Sequence, residues 1–258
     1  MCADTAPEHR RRRSRRIPWY RAWYRGTTPS RLAVTSALLV LLAGLSVHAG
    51  SMGLAHLQVI RVENDLKRWQ EAGRVTSLAA IESALLAIDR ANRLHRDNPH
   101  QLTLKAHLLA WRAYTTGDTT ADGSAAADYR AALELYRQAA ALRPLWPNNR
   151  AEMINVKLNL KQLDGELDAL LRQADKLGPY TLAVHLAIVR AGFATGQRHE
   201  QLLQRHLLRG LKDRRSRRHF EQLVRQYGRE AAVCQWLNQV QEPRLDLKLC
   251  GTRELSAN

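Results

Sequence analysis

Residues 137–179 read RQAAALRPLWPNNRAEMINVKLNLKQLDGELDALLRQADKLGP, and the two ends of this stretch are nearly the same phrase. Arg137-Gln138-Ala139-Ala140-Ala141-Leu142-Arg143-Pro144 is matched 35 residues later by Arg172-Gln173-Ala174-Asp175-Lys176-Leu177-Gly178-Pro179. Upstream, Asp89-Arg90-Ala91-Asn92-Arg93-Leu94 lies 48 residues before the first copy, a distance that falls to about 35 once the polar insertion at 117–128 is removed. Around these copies, between residues 56 and 240, apolar residues recur at threes and fours: Leu78, Ile81, Leu85, Leu86 and Ile88, then Leu102, Leu104, Leu108, Leu109 and Trp111. That is the period of amphipathic helices, and β-branched runs that would argue for strands are missing. Helix-breaking punctuation falls at Asp97-Asn98-Pro99, at 117–124, at Arg143-Pro144, at Gly178-Pro179, and at Gly192 and Gly196.

Helix-turn-helix units of about 34 residues with alanines at the close-packed positions are the pattern of tetratricopeptide-like arrays. One such hairpin cannot bury its apolar face alone, whereas three stacked ones can. Local chemistry agrees. Pro147 suits a first helical turn, where its missing N–H has no partner to lose. Asp164 is placed to cap a helix, with Glu166 and Asp168 in the favourable first turn. These three acids are read as capping groups and not as a metal or acid–base site, because no histidine, cysteine or further acid stands near them in sequence. The expected fold is all-α: a single transmembrane helix followed by a tetratricopeptide-like helical hairpin array. The expected divisions are a basic tail at 1–31, a membrane span at 32–54, the repeat domain at 55–240 and a C-terminal segment at 241–258.

The membrane span rests on Leu32 to Leu54, LAVTSALLVLLAGLSVHAGSMGL, 23 residues without a charge in a stretch that stays uncharged to Ile60. At about 1.5 Å per residue, a helix needs roughly 20 apolar residues to cross a ~30 Å hydrocarbon core. The net charge of +16 is unevenly spread: nine arginines and two acids occupy residues 1–31, leaving +7 there. Only Arg61, Lys67, Arg68 and Arg74 fall in the twenty residues after Leu54. Basic residues stay on the cytoplasmic side, so the N-terminus is expected inside and residues 55–258 outside. Pro18, Trp19, Tyr20, Trp23 and Tyr24 fit either an interfacial aromatic belt or a plain tail. A cleaved signal peptide is the competing reading, since Val47-His48-Ala49 offers small residues at a cleavage site. Either way the domain lies outside the cytoplasm, in the periplasm of a bacterial cell with an inner-membrane anchor, where nucleic acid is not an expected partner.

The three cysteines are Cys2, Cys234 and Cys250. In an oxidising compartment Cys234 and Cys250 are a candidate disulfide, closing a loop whose chain-entropy contribution is roughly 3 kcal/mol. Pro243 between them lets the chain turn back. Two unpaired buried cysteines are the alternative.

From Leu142-Arg143-Pro144-Leu145-Trp146-Pro147 through Gly178-Pro179-Tyr180 to Phe193, the chain resembles the VpsP family of polysaccharide-biosynthesis proteins. The shared positions are Arg143, Pro144, Trp146, Pro147, Lys161, Leu163, Gly165, Glu166, Asp168, Ala174, Leu177, Gly178, Pro179, Val184 and Leu186. The likeness is close over about sixty residues and extends to the layout of an N-terminal span before a helical domain. It departs at Asp164, an extra residue between Leu163 and Gly165, at Tyr180, where the family carries a Trp-Glu-Pro run, and in the longer basic tail. The resemblance implies a non-enzymatic, membrane-anchored accessory or scaffold role in exopolysaccharide (biofilm matrix) synthesis or export, with other membrane proteins of such a complex as partners and no cofactor.

No phosphate loop, dinucleotide fingerprint, hydrolase elbow, HExxH or CxxC motif is present, so no enzyme class, cofactor or metal is expected. His199 and His206, seven apart, read as a surface coincidence and not a ligand pair. The region from Arg198 to Glu230 holds ten basic residues and four acids, centred on Arg214, Arg215, Arg217 and Arg218. This run is a candidate surface for an acidic polysaccharide or for phospholipid headgroups, against the plainer reading of a solvated helix face. Trp111, Trp146 and Trp236 either line a sugar-stacking groove or pack between helices. Trp146, between Pro144 and Pro147, is the strongest candidate for partner contact.

Overall fold

The computed structural model describes residues 28–117, 123–240 and 249–250. The basic tail up to residue 27, with Cys2 and the aromatic run at 18–24, lies outside the described residues, as does the C-terminal segment apart from Leu249 and Cys250. Ten α-helices and no strand are found among the described residues: α1 Pro29–Ala72, α2 Leu78–Leu94, α3 Pro99–Thr116, α4 Ser124–Leu142, α5 Pro147–Asn159, α6 Gly165–Leu177, α7 Leu182–Thr195, α8 Glu200–Lys212, α9 Arg217–Gln226 and α10 Glu230–Gln239. The fold is all-α, an array of helical hairpins preceded by one helix long and apolar enough to cross a membrane.

Two compact units divide the chain, 1–51 and 52–258. In the first, α1 is exposed along most of its apolar stretch, with Leu39, Val40 and Val47 among the most open side chains. The uncharged stretch is only part of a 44-residue helix. The helix runs on past the expected span because the segment from Ala55 to Trp69 carries its own apolar stripe. In the second unit that stripe, Ala55, Val59, Val62, Leu66 and Trp69, is buried.

Within the second unit the helices alternate between two roles. The C-terminal part of α1 and helices α3, α5, α7 and α9 are the first members of hairpins, called A here; α2, α4, α6, α8 and α10 are the second members, called B. The ion pairs Lys105–Asp89 and Arg112–Glu82 show α2 and α3 running antiparallel, since one partner number rises as the other falls. Arg112 also clasps Asp128 on α4 at 2.6 Å, and the Asp128 and Glu82 carboxylates hold its guanidinium firmly protonated against the cost of burial. A helices stack on A helices, as Arg190 donating to Asn155 shows, and B helices on B helices, as Arg137 bonded to Glu166 shows.

The repeat seen in the sequence is carried through the structure. The residues preceding α5, α7 and α9 are Trp146, Thr181 and Ser216, 35 apart at each step (181 − 146 and 216 − 181). The α9–α10 pair is therefore a further unit whose sequence no longer repeats the Ala-Leu-Pro phrase. Asn98 accepts from the His100 and Gln101 N–H groups, with Pro99 in the first turn of α3, and Gly117 closes that helix in the left-handed conformation. Alanines at seven-residue spacing, Ala106 and Ala113 on α3 and Ala125, Ala132 and Ala139 on α4, are all buried where these two helices pack most extensively. One large core runs from α1 to α7, and a smaller one, built on Phe193, Leu207, Leu211, Phe220 and Val224, joins α7 to α10.

One punctuation mark is corrected. Gly192 does not end a helix but lies inside α7, where an added Cβ would sit 2.6 Å from Leu203 Cβ on α8. It is glycine because two helices meet there, a packing requirement that looks the same in sequence as a break.

Candidate functional site

Hairpins expose two kinds of turn, A-to-B within a hairpin and B-to-A between hairpins. At the A-to-B turn of α5 and α6, Asp164 caps α6 by accepting from the Leu167 N–H at 3.0 Å. Lys157, 1% exposed, reaches from α5 to place Nζ 2.9 Å from Asp164 and 2.7 Å from Glu166. Burial alone would raise both acids; the Lys157 ammonium, joined by Arg137 at Glu166, pulls them below the usual carboxylate range. Asp168 pairs with Arg198 and His199, in the short 3-10 turn Gly196–His199 that leads into α8. The three acids therefore cap one helix and fasten three others to it, with no unpaired carboxylate left for acid–base work.

His199 and His206 are a second correction. His206 is fully buried, and each imidazole meets its own aspartate on α6: His199 with Asp168 and His206 with Asp175. An Arg-His pair at 198–199 and another at 205–206 thus face aspartates seven residues apart. The pattern is a ladder between parallel B helices. Its second rung continues inward, His206 Nδ1 lying 2.6 Å from His185 Nδ1 on α7. With Asp175 accepting from His206 Nε2–H, His206 Nδ1 is left as the acceptor and His185 Nδ1–H as the donor. Burial, then the neighbouring imidazole and Arg209, push His185 down to about 4. Burial also lowers His206, against the pull of Asp175. Among the described residues no group of three or more His, Cys, Asp or Glu side chains is arranged to hold a metal ion.

At the B-to-A turns the chemistry is different. Trp146 is half-buried, with the Arg143 guanidinium 4.8 Å above its ring. Leu145 beside it is 76% exposed and Tyr180 in the next turn 83% exposed. The two turns touch, because a Cβ on Gly178 would lie 2.6 Å from Pro147 Cβ. Arg209, near the end of α8, donates to the Pro179 carbonyl at 2.8 Å and lies 5.1 Å over the Tyr180 ring. The basic run forms the following turn. Asp213 is turned into that loop, where the Arg215 backbone N–H and then the Ser216 hydroxyl donate to it and lower its pKa. Arg214, Arg215 and Arg218 are exposed and make no ion pair among the described residues. Arg217 is withdrawn from the expected basic face: it is half-buried, its Nε donating to the Leu211 carbonyl at 2.8 Å. The four arginines are split because the last carbonyls of α8 need donors, which the Ser216 hydroxyl supplies to Gly210 and Arg217 to Leu211.

Of the other tryptophans, Trp111 leans edge-on against the buried Trp69 at 6.4 Å. Trp236 borders a cleft of about 270 Å³ between α7, α8 and α10, lined by Phe193, Leu203, Leu207 and Val233 with Glu200 and Arg229 among its polar groups. No single groove collects Trp111, Trp146 and Trp236. Cys234 on α10 and Cys250 are disulfide-bonded, Cα–Cα 5.7 Å. The alignment of B-to-A turns into one edge was hidden from sequence reasoning; the 35-residue register carried past Pro179 to Arg214 would have found it.

Comparison of the chain with protein-family models, with curated proteins and with solved structures finds no match in any of the three.

Proposed function

We propose that the protein is a non-enzymatic accessory or scaffold protein of exopolysaccharide (biofilm matrix) synthesis or export, anchored in the bacterial inner membrane by α1 with its N-terminus cytoplasmic and its helical unit periplasmic. The observation that carries this reading is the junction in α1. Residues 32–54 are uncharged and long enough to cross a bilayer, and in the next residues of the same helix Ala55 and Val59 are buried. A hairpin stack offers extended surface to other proteins, which suits an assembly factor. The clustered acids and histidines are consumed in helix-to-helix pairing, which fits a role without catalysis. The link to polysaccharide rests on the resemblance between Leu142 and Phe193.

A second reading, an anionic-glycan-binding module, is favoured by one observation: Arg214, Arg215 and Arg218 are exposed and make no ion pair among the described residues.

Deleting the chromosomal gene and measuring secreted polysaccharide, with the full chain restored in trans, tests the main reading. Loss of polymer on deletion and recovery on complementation are expected. Unchanged polymer output would overturn it, and turnover of any polymer by the purified full-length protein would overturn its non-enzymatic part.

A further inference from the structure

The second unit has a polarity that bears on what its B-to-A edge meets. Helix α2 is antiparallel to α3, and α1 turns back into α2 through residues 73–77, so the α1 segment from Met52 runs parallel to the other A helices. His100, in the first turn of α3, accordingly contacts Glu63 of α1 at 2.7 Å. The chain thus enters this unit at the end where α3, α5, α7 and α9 begin, which is the end of the B-to-A turns. Packing starts at once, with Ala55 1% and Val59 4% exposed.

That same end carries side chains for which the fold has no use. Leu145 and Tyr180 stand at successive turn tips, and Leu142 and Leu182 flank them, also exposed. Single exposed leucines are ordinary, but apolar tips on turns in contact, interleaved with arginines, form one amphipathic edge. Arg143 over Trp146 and Arg209 over Tyr180 hold their guanidinium groups against aromatic faces. Arg214 and Arg215 extend the cationic row in the next turn.

We propose that this edge, Leu145, Trp146 and Tyr180 with Arg143, Arg209 and Arg215, docks on the anionic phospholipid headgroups of the bilayer that holds α1. Leucine and tyrosine at turn tips partition into the headgroup–acyl boundary, and indole and phenol rings favour that layer. Arginine pairs bidentately with phosphate, and an anionic surface attracts clustered cations within a Debye length. A sugar-binding edge would use the rings but has no call for leucines at the tips, so lipid fits the composition better than glycan. Docking fixes the angle of the hairpin stack on the membrane and leaves the A-to-B end free for protein partners. The inference rests on the anchored reading of α1.

The test uses the full chain with Cys2→Ser, its Cys234–Cys250 disulfide intact, reconstituted in vesicles of phosphatidylcholine with or without phosphatidylglycerol. An environment-sensitive fluorophore is attached in turn at Leu145→Cys, Tyr180→Cys, Leu163→Cys and Leu41→Cys. Leu163 lies at the A-to-B end, about 20 Å away along α5 at 1.5 Å per residue. Quenching by headgroup-region nitroxide lipids is expected to be about threefold stronger or more at 145 and 180 than at 163 in the anionic vesicles. It should fall towards the level at 163 in pure phosphatidylcholine, or when Arg143 and Arg215 both become Gln. Equal exposure to water at 145, 180 and 163 would overturn the proposal, as would quenching indifferent to lipid charge. A response in phosphatidylcholine vesicles to added acidic polysaccharide, without one to phosphatidylglycerol, would also overturn it and assign the edge to glycan. The probe at 41 separates the two readings: no quenching there by lipids labelled deep in the acyl chain would mean that the anchor itself is wrong. Deep quenching at 41 with none at 145 and 180 would sink only the docked edge.

Discussion

At the A-to-B end of the α5–α6 hairpin, Lys157 is buried and saturated by Asp164, Glu166 and the Gln162 side-chain oxygen, and Leu163 is the exposed apolar group of the turn. At the B-to-A end, Leu145 and Tyr180 stand in solvent and Arg214 and Arg215 are exposed and make no ion pair among the described residues. One end is held by its charges and the other by close packing of its turns, Gly178 against Pro147, with its charges left over. Polar groups that serve the fold end up paired, because an unpaired buried group costs more than its hydrogen bond returns. Groups left unpaired and exposed on an ordered turn are therefore where a partner is to be sought.

Acid should separate the two ends most strongly. The His185–His206 pair lies beneath the B-to-A turns, faced by Asp175, Arg205, Arg209 and Asp213, and both imidazoles are held below their ordinary value. A histidine lowered in the folded state contributes stability that is present above its unfolded pKa, about 6.5, and lost as pH falls towards the folded value, about 4 for His185. That loss is on the order of 2–3 kcal/mol. The lowered carboxylates Asp164 and Glu166 lose their contribution only below the ordinary carboxylate range. Melting of the full-length protein in detergent should therefore weaken between pH 7 and pH 4, and His185→Gln, which keeps a donor for His206, should flatten that slope. A slope unchanged in the variant would remove the histidine pair from the account.

Lys157→Met breaks the A-to-B end directly. It removes charge-assisted bonds to two carboxylates and should cost about 2 kcal/mol in thermal or urea unfolding. An effect near zero would mean that the turn does not depend on its lysine. Gly178→Ala challenges the other end, since the new methyl group would overlap Pro147 and crowd Thr181 and Val184. Overpacking of this kind costs about 1–2 kcal/mol. The smallest change in stability is expected at the tips: Leu145→Ser with Tyr180→Ser should alter unfolding by less than about 0.5 kcal/mol. A large loss there would show that these side chains serve the fold and not a partner.

The helical class, the hairpin period, the break at Asp97-Asn98-Pro99, the helix start at Pro147 and the cap at Asp164 were legible because each depends on residues near in sequence. Two copies of one phrase were enough to set the 35-residue register. Long-range pairings were not legible. His206 looks like a surface residue until α6 brings Asp175 to it, and Arg217 is indistinguishable from Arg218 until the end of α8 claims its guanidinium. Gly192 misled because a glycine needed for helix contact and a glycine that ends a helix are the same letter. The exposed edge was half visible: Trp146 and the arginines were singled out separately, but only the stacked turns bring Leu145, Tyr180 and Arg209 into line with them.

The central claim is that α1 anchors a hairpin stack outside the cytoplasm. A reporter active only outside the cytoplasm, fused after Asn258 and followed together with protein size and membrane fractionation, tests it most directly. Reporter activity with a full-length, membrane-bound product is the predicted result. A stable fusion with an inactive reporter would contradict the account, and an active but shortened, soluble product would replace the anchor with a cleaved signal peptide.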